Sequence, residues 1–146
     1  MKAYNTKPVL TRAVVMEMLQ AACDEAQSMG IAVNVAVTDD GGNLCGFVRM
    51  DGAPLLSVEI AQNKAYTASA FGIPTREWYS RIKDDPALLH GIVHTPRLTI
   101  FAGGLPLRIH GQLVGGVGVS GGSGDQDEAC ARRAVSEFER WVNQES

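Results

Sequence analysis

The sequence predicts an α+β sandwich, with a mostly antiparallel sheet of about five strands and helices on both sides. Three observations carry this. Apolar residues recur at helical spacing near both ends of the chain, whereas the middle holds short β-rich runs separated by tight, glycine-containing turns. Between the first strand pair and the later strands lies another helical pattern, bracketed by Pro54 on one side and by Gly72 and Pro74 on the other. At 146 residues the chain suits one domain, 1–146, able to bury a core without disulfide or metal staples.

Thr11 can cap a first helix over 11–29, whose apolar positions Val15, Met18, Leu19, Ala22, Ala26 and Met29 fall three and four residues apart, and Gly30 supplies a left-handed stop. Residues 31–37 read as a strand, Asp39-Asp40-Gly41-Gly42-Asn43 as a hairpin turn, and 44–50 as the returning strand. Pro54 suits the first turn of a second helix running to about Ala70, which Gly72-Ile73-Pro74 ends. A short helix is expected from Thr75, with Glu77 and Trp78 in its first turn, and 83–96 reads as irregular with room for one helical turn. Residues 98–102 read as a strand and Gly103-Gly104 as a turn or bulge, while 105–109 leads through His110-Gly111 into a strand over 112–120. Ser123 and Gln126 have capping-box spacing, and Ala131, Ala134, Val135, Phe138, Trp141 and Val142 mark the buried stripe of a terminal helix. Helices at both ends of a hairpin-rich sheet give a sandwich of the profilin-like kind.

A formal net charge of −3, with basic residues dispersed, gives no electrostatic reason to expect a nucleic-acid or anionic-membrane partner. Cys23, Cys45 and Cys130 are odd in number and far apart, which argues against a disulfide framework or a zinc site and for three reduced, buried thiols. Residues 1–10 hold Lys2 and Lys7 with no apolar stretch behind them, and no later run approaches a membrane span. A soluble, cytoplasmic protein is expected.

Charge converges at one place. Arg49-Met50-Asp51-Gly52-Ala53-Pro54 runs into the second helix, where Leu56, Ile60, Lys64, Thr67 and Phe71 share a face. Lys64 therefore lies on an apolar stripe, and two readings fit. Either its methylenes pack while the ammonium reaches water, or the ammonium enters a pocket where Asp51 or Asp127 keeps it charged. Arg49 and Asp51 have a similar pair of readings: Asp51 accepts from the free amides of the second helix with Arg49 beside it, or Arg49 offers a fork to a carboxylate while Asp51 orients Lys64. Gly116, Gly118 and Gly121 match the dinucleotide-binding GxGxxG by letter only, because they lie inside a strand and no βαβ unit follows. Small residues there let a neighbouring element or a ligand come close. His90, His94 and His110 have no metal spacing, and His110 before Gly111 suits a turn with positive φ. No nucleophile elbow is present.

These residues carry a resemblance. The hairpin at 39–44, Phe47-Val48-Arg49-Met50-Asp51-Gly52-Ala53, Ala61-Gln62-Asn63-Lys64-Ala65-Tyr66-Thr67, Phe71-Gly72-Ile73-Pro74-Thr75, Gly103-Gly104-Leu105-Pro106, and 114–121 followed by Asp127 together resemble the GlcG/HbpS family over nearly the whole chain. The resemblance implies a profilin-like sandwich, homo-oligomers up to octamers, and relatives that bind haem, form the carboxy-terminal part of PduO-type adenosyltransferases or are encoded with catabolic pathways. A histidine on the first helix is implicated in haem ligation by PduO-like relatives, and 11–29 here contains none. The expectation is a small-molecule site lined by Arg49, Asp51, Lys64, Thr67 and Asp127, with Phe71, Gly103 and Gly104 beside them, taking haem or a carboxylated metabolite. One alternative is a hydrolase or isomerase of an unstable catabolic intermediate, with Lys64 or Asp51 handling protons. Another is a non-catalytic accessory protein of a catabolic operon.

Overall fold

The computed structural model describes residues 1–145. The elements in chain order are α1 (Arg12–Ser28), β1 (Asn34–Asp39), β2 (Leu44–Arg49), α2 (Leu56–Phe71), α3 (Glu77–Ile82), α4 (Pro86–Gly91), a 3-10 turn (Ile92–His94), β3 (Gly104–Ile109), β4 (Gln112–Ser120) and α5 (Gly124–Gln144). One sheet runs in the order β2-β1-β4-β3, every pair antiparallel. The α+β class and the mostly antiparallel sheet stand, with four strands in place of about five.

Alternation along β1 and β4 sorts the side chains into two layers. Val35, Val37, Val117 and Val119 face α1 and α5, forming the larger core with Met18, Leu19, Ala22, Leu107, Ala134 and Phe138. Fully burying a side chain such as Phe138 is worth about 1.5–3 kcal/mol. Ala36 faces the other way, against Ala61 and Ala65 of α2. The buried face of α2 is thus the small one, Ser57, Ala61, Ala65, Ala68 and Ser69 with Lys64 and Thr67, while Leu56 and Phe71, placed by their spacing on the apolar stripe, are exposed. The reason lies in β4. A Cβ at Gly118 would meet Ala61 O at 2.1 Å and one at Gly116 would meet Ala65 O at 2.4 Å, so the helix backbone lies directly on the sheet. The Thr38 hydroxyl donates to Ala65 O across the same contact (3.2 Å).

Thr11 caps α1, Ser123 and Gln126 form the reciprocal capping box of α5, and Gly72 stops α2 at φ 80°. His110 turns between β3 and β4 at φ 49°. Two segments differ from expectation. Asp85 caps Leu88 N, with Pro86 in the first turn, so 83–96 holds α4 and a 3-10 turn. Residues 98–102 form no strand: Arg97 at φ 67° turns the chain, and the Thr99 amide donates to Thr67 Oγ1 (2.9 Å) instead of a ladder. Of the cysteines only Cys130 is buried; Cys45 is exposed on the edge strand β2 and Cys23 is partly covered. Among the described residues no helix is long and apolar enough to cross a membrane.

Candidate functional site

The second helix carries its lysine inward. With α2 pressed onto the glycines of β4, Lys64 cannot reach water, and its side chain is 1% exposed. Nζ donates to Asp127 Oδ2 (3.0 Å) and to Val119 O at the end of β4 (2.9 Å). Asp127 reaches it from the first turn of α5, a turn fixed by the Ser123–Gln126 capping box, and its other oxygen accepts from Gly122 N (2.8 Å). The ammonium therefore does not snorkel to water, and Asp127 is its partner.

Burial acts on both members. It pulls the ammonium of Lys64 below the usual lysine range, with Asp127 opposing, and raises the carboxyl of Asp127, against which Lys64 and the amides of Gly122 and Gly121 work. The two shifts are opposed, so the proton affinities of the pair are drawn together. The thiol of Cys130 is pushed up to about 12 by burial and then by Asp127, which keeps it protonated.

A strap closes the outer side. Thr67 Oγ1 donates to Arg97 O (3.0 Å) and accepts from Thr99 N (2.9 Å), holding 97–99 on α2. The Arg97 guanidinium lies 3.7 Å from the Tyr66 ring centroid and donates to Gly42 O (3.3 Å). Beyond Thr99 the chain brings the Phe101 ring to 5.1 Å from Nζ, with the ring residue 55% exposed. Gly103, at φ 128°, then passes so close that a Cβ there would sit 2.6 Å from both Nζ and Val119 O. Only glycine fits. Gly104 N donates to Thr75 Oγ1 (2.9 Å) and closes the strap against the start of α3.

Lys64, Asp127, Thr67, Gly103 and Gly104 thus come together. Arg49 and Asp51 do not join them. Arg49 pairs with Asn34, which pairs with Ser120, so two interstrand spacings, about 10 Å, separate the Arg49 backbone from the end of β4. Arg49 donates through Nε and a terminal nitrogen to Ala53 O (3.3 and 3.0 Å), and with exposed Asp51 it borders a wide-open depression of about 610 Å³ shared with Gln27, Ile31 and Met50. Phe71 packs on Trp78, ring centroids 4.7 Å apart. Sequence reasoning did not find Phe101, Val119 O or the Arg97 strap. Phe101 was hidden inside an apparent strand, and a backbone carbonyl leaves no signal in composition.

Comparison with known proteins adds to this geometry. The sequence model described as haem degrading protein HbpS-like matches residues 10–136. Protein GlcG of Escherichia coli is 34% identical over 116 residues, covering 80% of this chain and 84% of that protein. The crystal structure of Klebsiella pneumoniae protein ORFY superposes with a TM-score of 0.89 at 35% identity, over 95% of this chain and 97% of that one. The structure of a PduOC:heme complex superposes with a TM-score of 0.82 at 33% identity, over 89% and 95%. With 127 of its residues matched and relatives of this closeness covering most of both chains, the chain belongs to the HbpS-like family.

Proposed function

We propose that this protein binds a small carboxylated metabolite at the Lys64–Asp127 pair beneath Phe101. The observation that carries the reading is the burial of an ammonium between one carboxylate, one carbonyl and an exposed ring. A buried ion pair is a poor stabiliser, since taking both charges out of water offsets most of their attraction. Its position under a solvent-facing ring is better explained by a ligand. Lysine has three N–H donors, and Val119 O and Asp127 take two. The third serves an incoming carboxylate once Phe101 swings aside. Thr67, through its hold on the strap, and Gly103 and Gly104, through their missing side chains, shape the entry.

Haem, bound by one solved relative, does not fit this cluster. Cys130 keeps its proton and offers no thiolate. His90 and His110 are exposed, as is His94 beyond α4, and α1 supplies no imidazole. A second reading, a hydrolase or isomerase, is favoured by the opposed shifts of Lys64 and Asp127, which lower the cost of passing a proton between them.

Titration calorimetry with lactate and other small carboxylates, and absorbance titration with hemin, tests these readings on the wild type and Lys64→Met. Carboxylate heat lost in the variant is expected, with a broad, weakly shifted hemin spectrum in both. Saturable, one-to-one hemin binding with no carboxylate heat would overturn the proposal.

A further inference from the structure

We propose that Lys64 Nζ is a nucleophile that forms a reversible imine with a small carbonyl compound, an aldehyde or a 2-oxo acid, with Asp127 moving the protons. The inference rests on Lys64 being a ligand site and adds a covalent step to it.

An amine attacks a carbonyl only when neutral, and the lysines that do so in proteins are desolvated. This chain has four lysines, of which Lys2, Lys7 and Lys83 are exposed and Lys64 alone is buried. Asp127 Oδ2, 3.0 Å away, is placed to receive the ammonium proton, which leaves both members neutral in a site that excludes water. Burial shifts the two groups in the directions that favour this transfer.

The atoms then balance. The nitrogen lone pair bonds to the carbonyl carbon, the C=O π electrons move to oxygen, and that oxygen takes the proton held by Asp127. The nitrogen of the resulting carbinolamine carries a positive charge and returns one proton to Asp127. Asp127 passes that proton to the hydroxyl, water leaves, and the nitrogen lone pair forms C=N⁺. The end state is an iminium cation beside the Asp127 carboxylate, the charge arrangement of the resting pair, with the Phe101 ring at cation-π distance. Nothing is oxidised, and hydrolysis reverses each step.

Access is built into the strap. Thr99 is anchored to Thr67, Gly103 O accepts from Val119 N (2.9 Å) and Gly104 is anchored to Thr75. Between these anchors the backbone of Ile100, Phe101 and Ala102 makes no hydrogen bond with the described residues. Phe101 can therefore move while both ends stay fixed.

The test incubates the full chain near neutral pH with acetaldehyde or with pyruvate plus cyanoborohydride, and maps the reduced adduct by peptide mass spectrometry. Lactate, which has the carboxylate without the carbonyl, is titrated calorimetrically in parallel. One adduct per chain at Lys64, formed ahead of Lys2, Lys7 and Lys83, is expected; the acetaldehyde and pyruvate arms show which carbonyl source is accepted. Asp127→Asn should slow labelling about a hundredfold, the lower end of general acid-base contributions. Phe101→Ala leaves the pair intact and should speed it, which keeps the test alive if Asp127→Asn does not fold. Lactate heat that depends on Lys64, with no adduct at Lys64, would overturn the imine and leave the carboxylate site standing. A Lys64 adduct without lactate heat supports the imine and removes the carboxylate reading. Labelling confined to the three exposed lysines overturns the inference.

Discussion

Replacing Lys64 by methionine keeps much of the apolar stem and removes the ammonium, which isolates the worth of the charge. Two partners are left behind. Val119 O loses a donor at 2.9 Å, and a buried acceptor without a partner costs about 1–3 kcal/mol. Asp127, its side chain 4% exposed, loses a cation at 3.0 Å. Stripping one member from a buried pair costs about 3–5 kcal/mol when the other stays charged. Here Asp127 keeps the Gly122 amide at 2.8 Å and is free to take up a proton, so a total near 3 kcal/mol is expected at neutral pH. The pH dependence identifies the source. In the variant the folded-state pKa of Asp127 is raised by burial with no lysine to oppose it, so the folded form binds the proton more tightly than the unfolded one. Stability from that proton is fully present below the unfolded value and is lost as pH rises through the folded one. The gap between wild type and variant should therefore narrow as pH falls from neutral into the range where the raised Asp127 protonates. Urea titrations at several pH values measure it, with unchanged slope as the check on two-state unfolding. A midpoint equal to wild type at neutral pH, or a gap that does not change with pH, would refute the reasoning and detach Asp127 from Lys64.

Four further outcomes are expected. Gly118→Ala puts a Cβ 2.1 Å from Ala61 O, a backbone atom, so α2 must lift, and a loss of about 1–3 kcal/mol in urea titration follows. Ser123→Ala removes the cap of α5 and should cost about 1 kcal/mol by the same assay, with a further loss of ligand heat because Asp127 sits in the turn that the cap orders. Light scattering should give a homo-oligomer, since Leu55, Leu56, Phe71 and Tyr79 all stand exposed; a monomeric mass at micromolar concentration counts against it. Hemin added to His94→Ala should give the spectrum seen with the wild type, and a sharp six-coordinate spectrum abolished by that change would make this histidine a ligand and count against the reading.

What the sequence could show was set by periodicity and by caps. α1 and α5 announce themselves because their buried residues are large and recur at helical spacing, and Thr11, Gly72 and Ser123 mark element ends through local backbone chemistry that short range fully determines. The face of α2 was harder. Periodicity weights size, so Leu56 and Phe71 outweighed Ala61, Ala65 and Ala68, although the small residues are the ones that the glycines of β4 admit. Residues 98–102 have strand composition, yet a hydroxyl on α2 takes the Thr99 amide, and a contact spanning that separation has no local trace. The same limit applies at the site. Lys64 was recognisable as a charge on an apolar stripe and Asp127 as a candidate partner at the start of the terminal helix, but their meeting depends on β4 ending where α5 begins, which is tertiary information. Arg49 and Asp51 were grouped with them by nearness in sequence, and β1 intervenes in space.

The close approach of α2 to the sheet explains why this lysine is buried at all. Gly118 permits Ala61 O and Ala65 N to lie where a side chain would otherwise stand, and the Cβ of Lys64 falls within 2.9 Å of the same point. At an ordinary helix-to-sheet distance, with side chains between the layers, a lysine stem would reach past the sheet edge to water. Pressed against glycines, it instead runs along the end of β4 and meets Val119 O. Gly103 then seals the space from the other side, since a Cβ there would overlap Nζ. Val119 O, Asp127 and the close backbone of Gly103 therefore hold the ammonium in place. The short span from Ile100 to Ala102 lies over this cage, tied down at Thr99 and Gly103 with no backbone hydrogen bond of its own among the described residues. On the proposed reading a ligand would enter at that span with the sheet, α2 and the capped start of α5 unchanged, so the pair would keep its geometry.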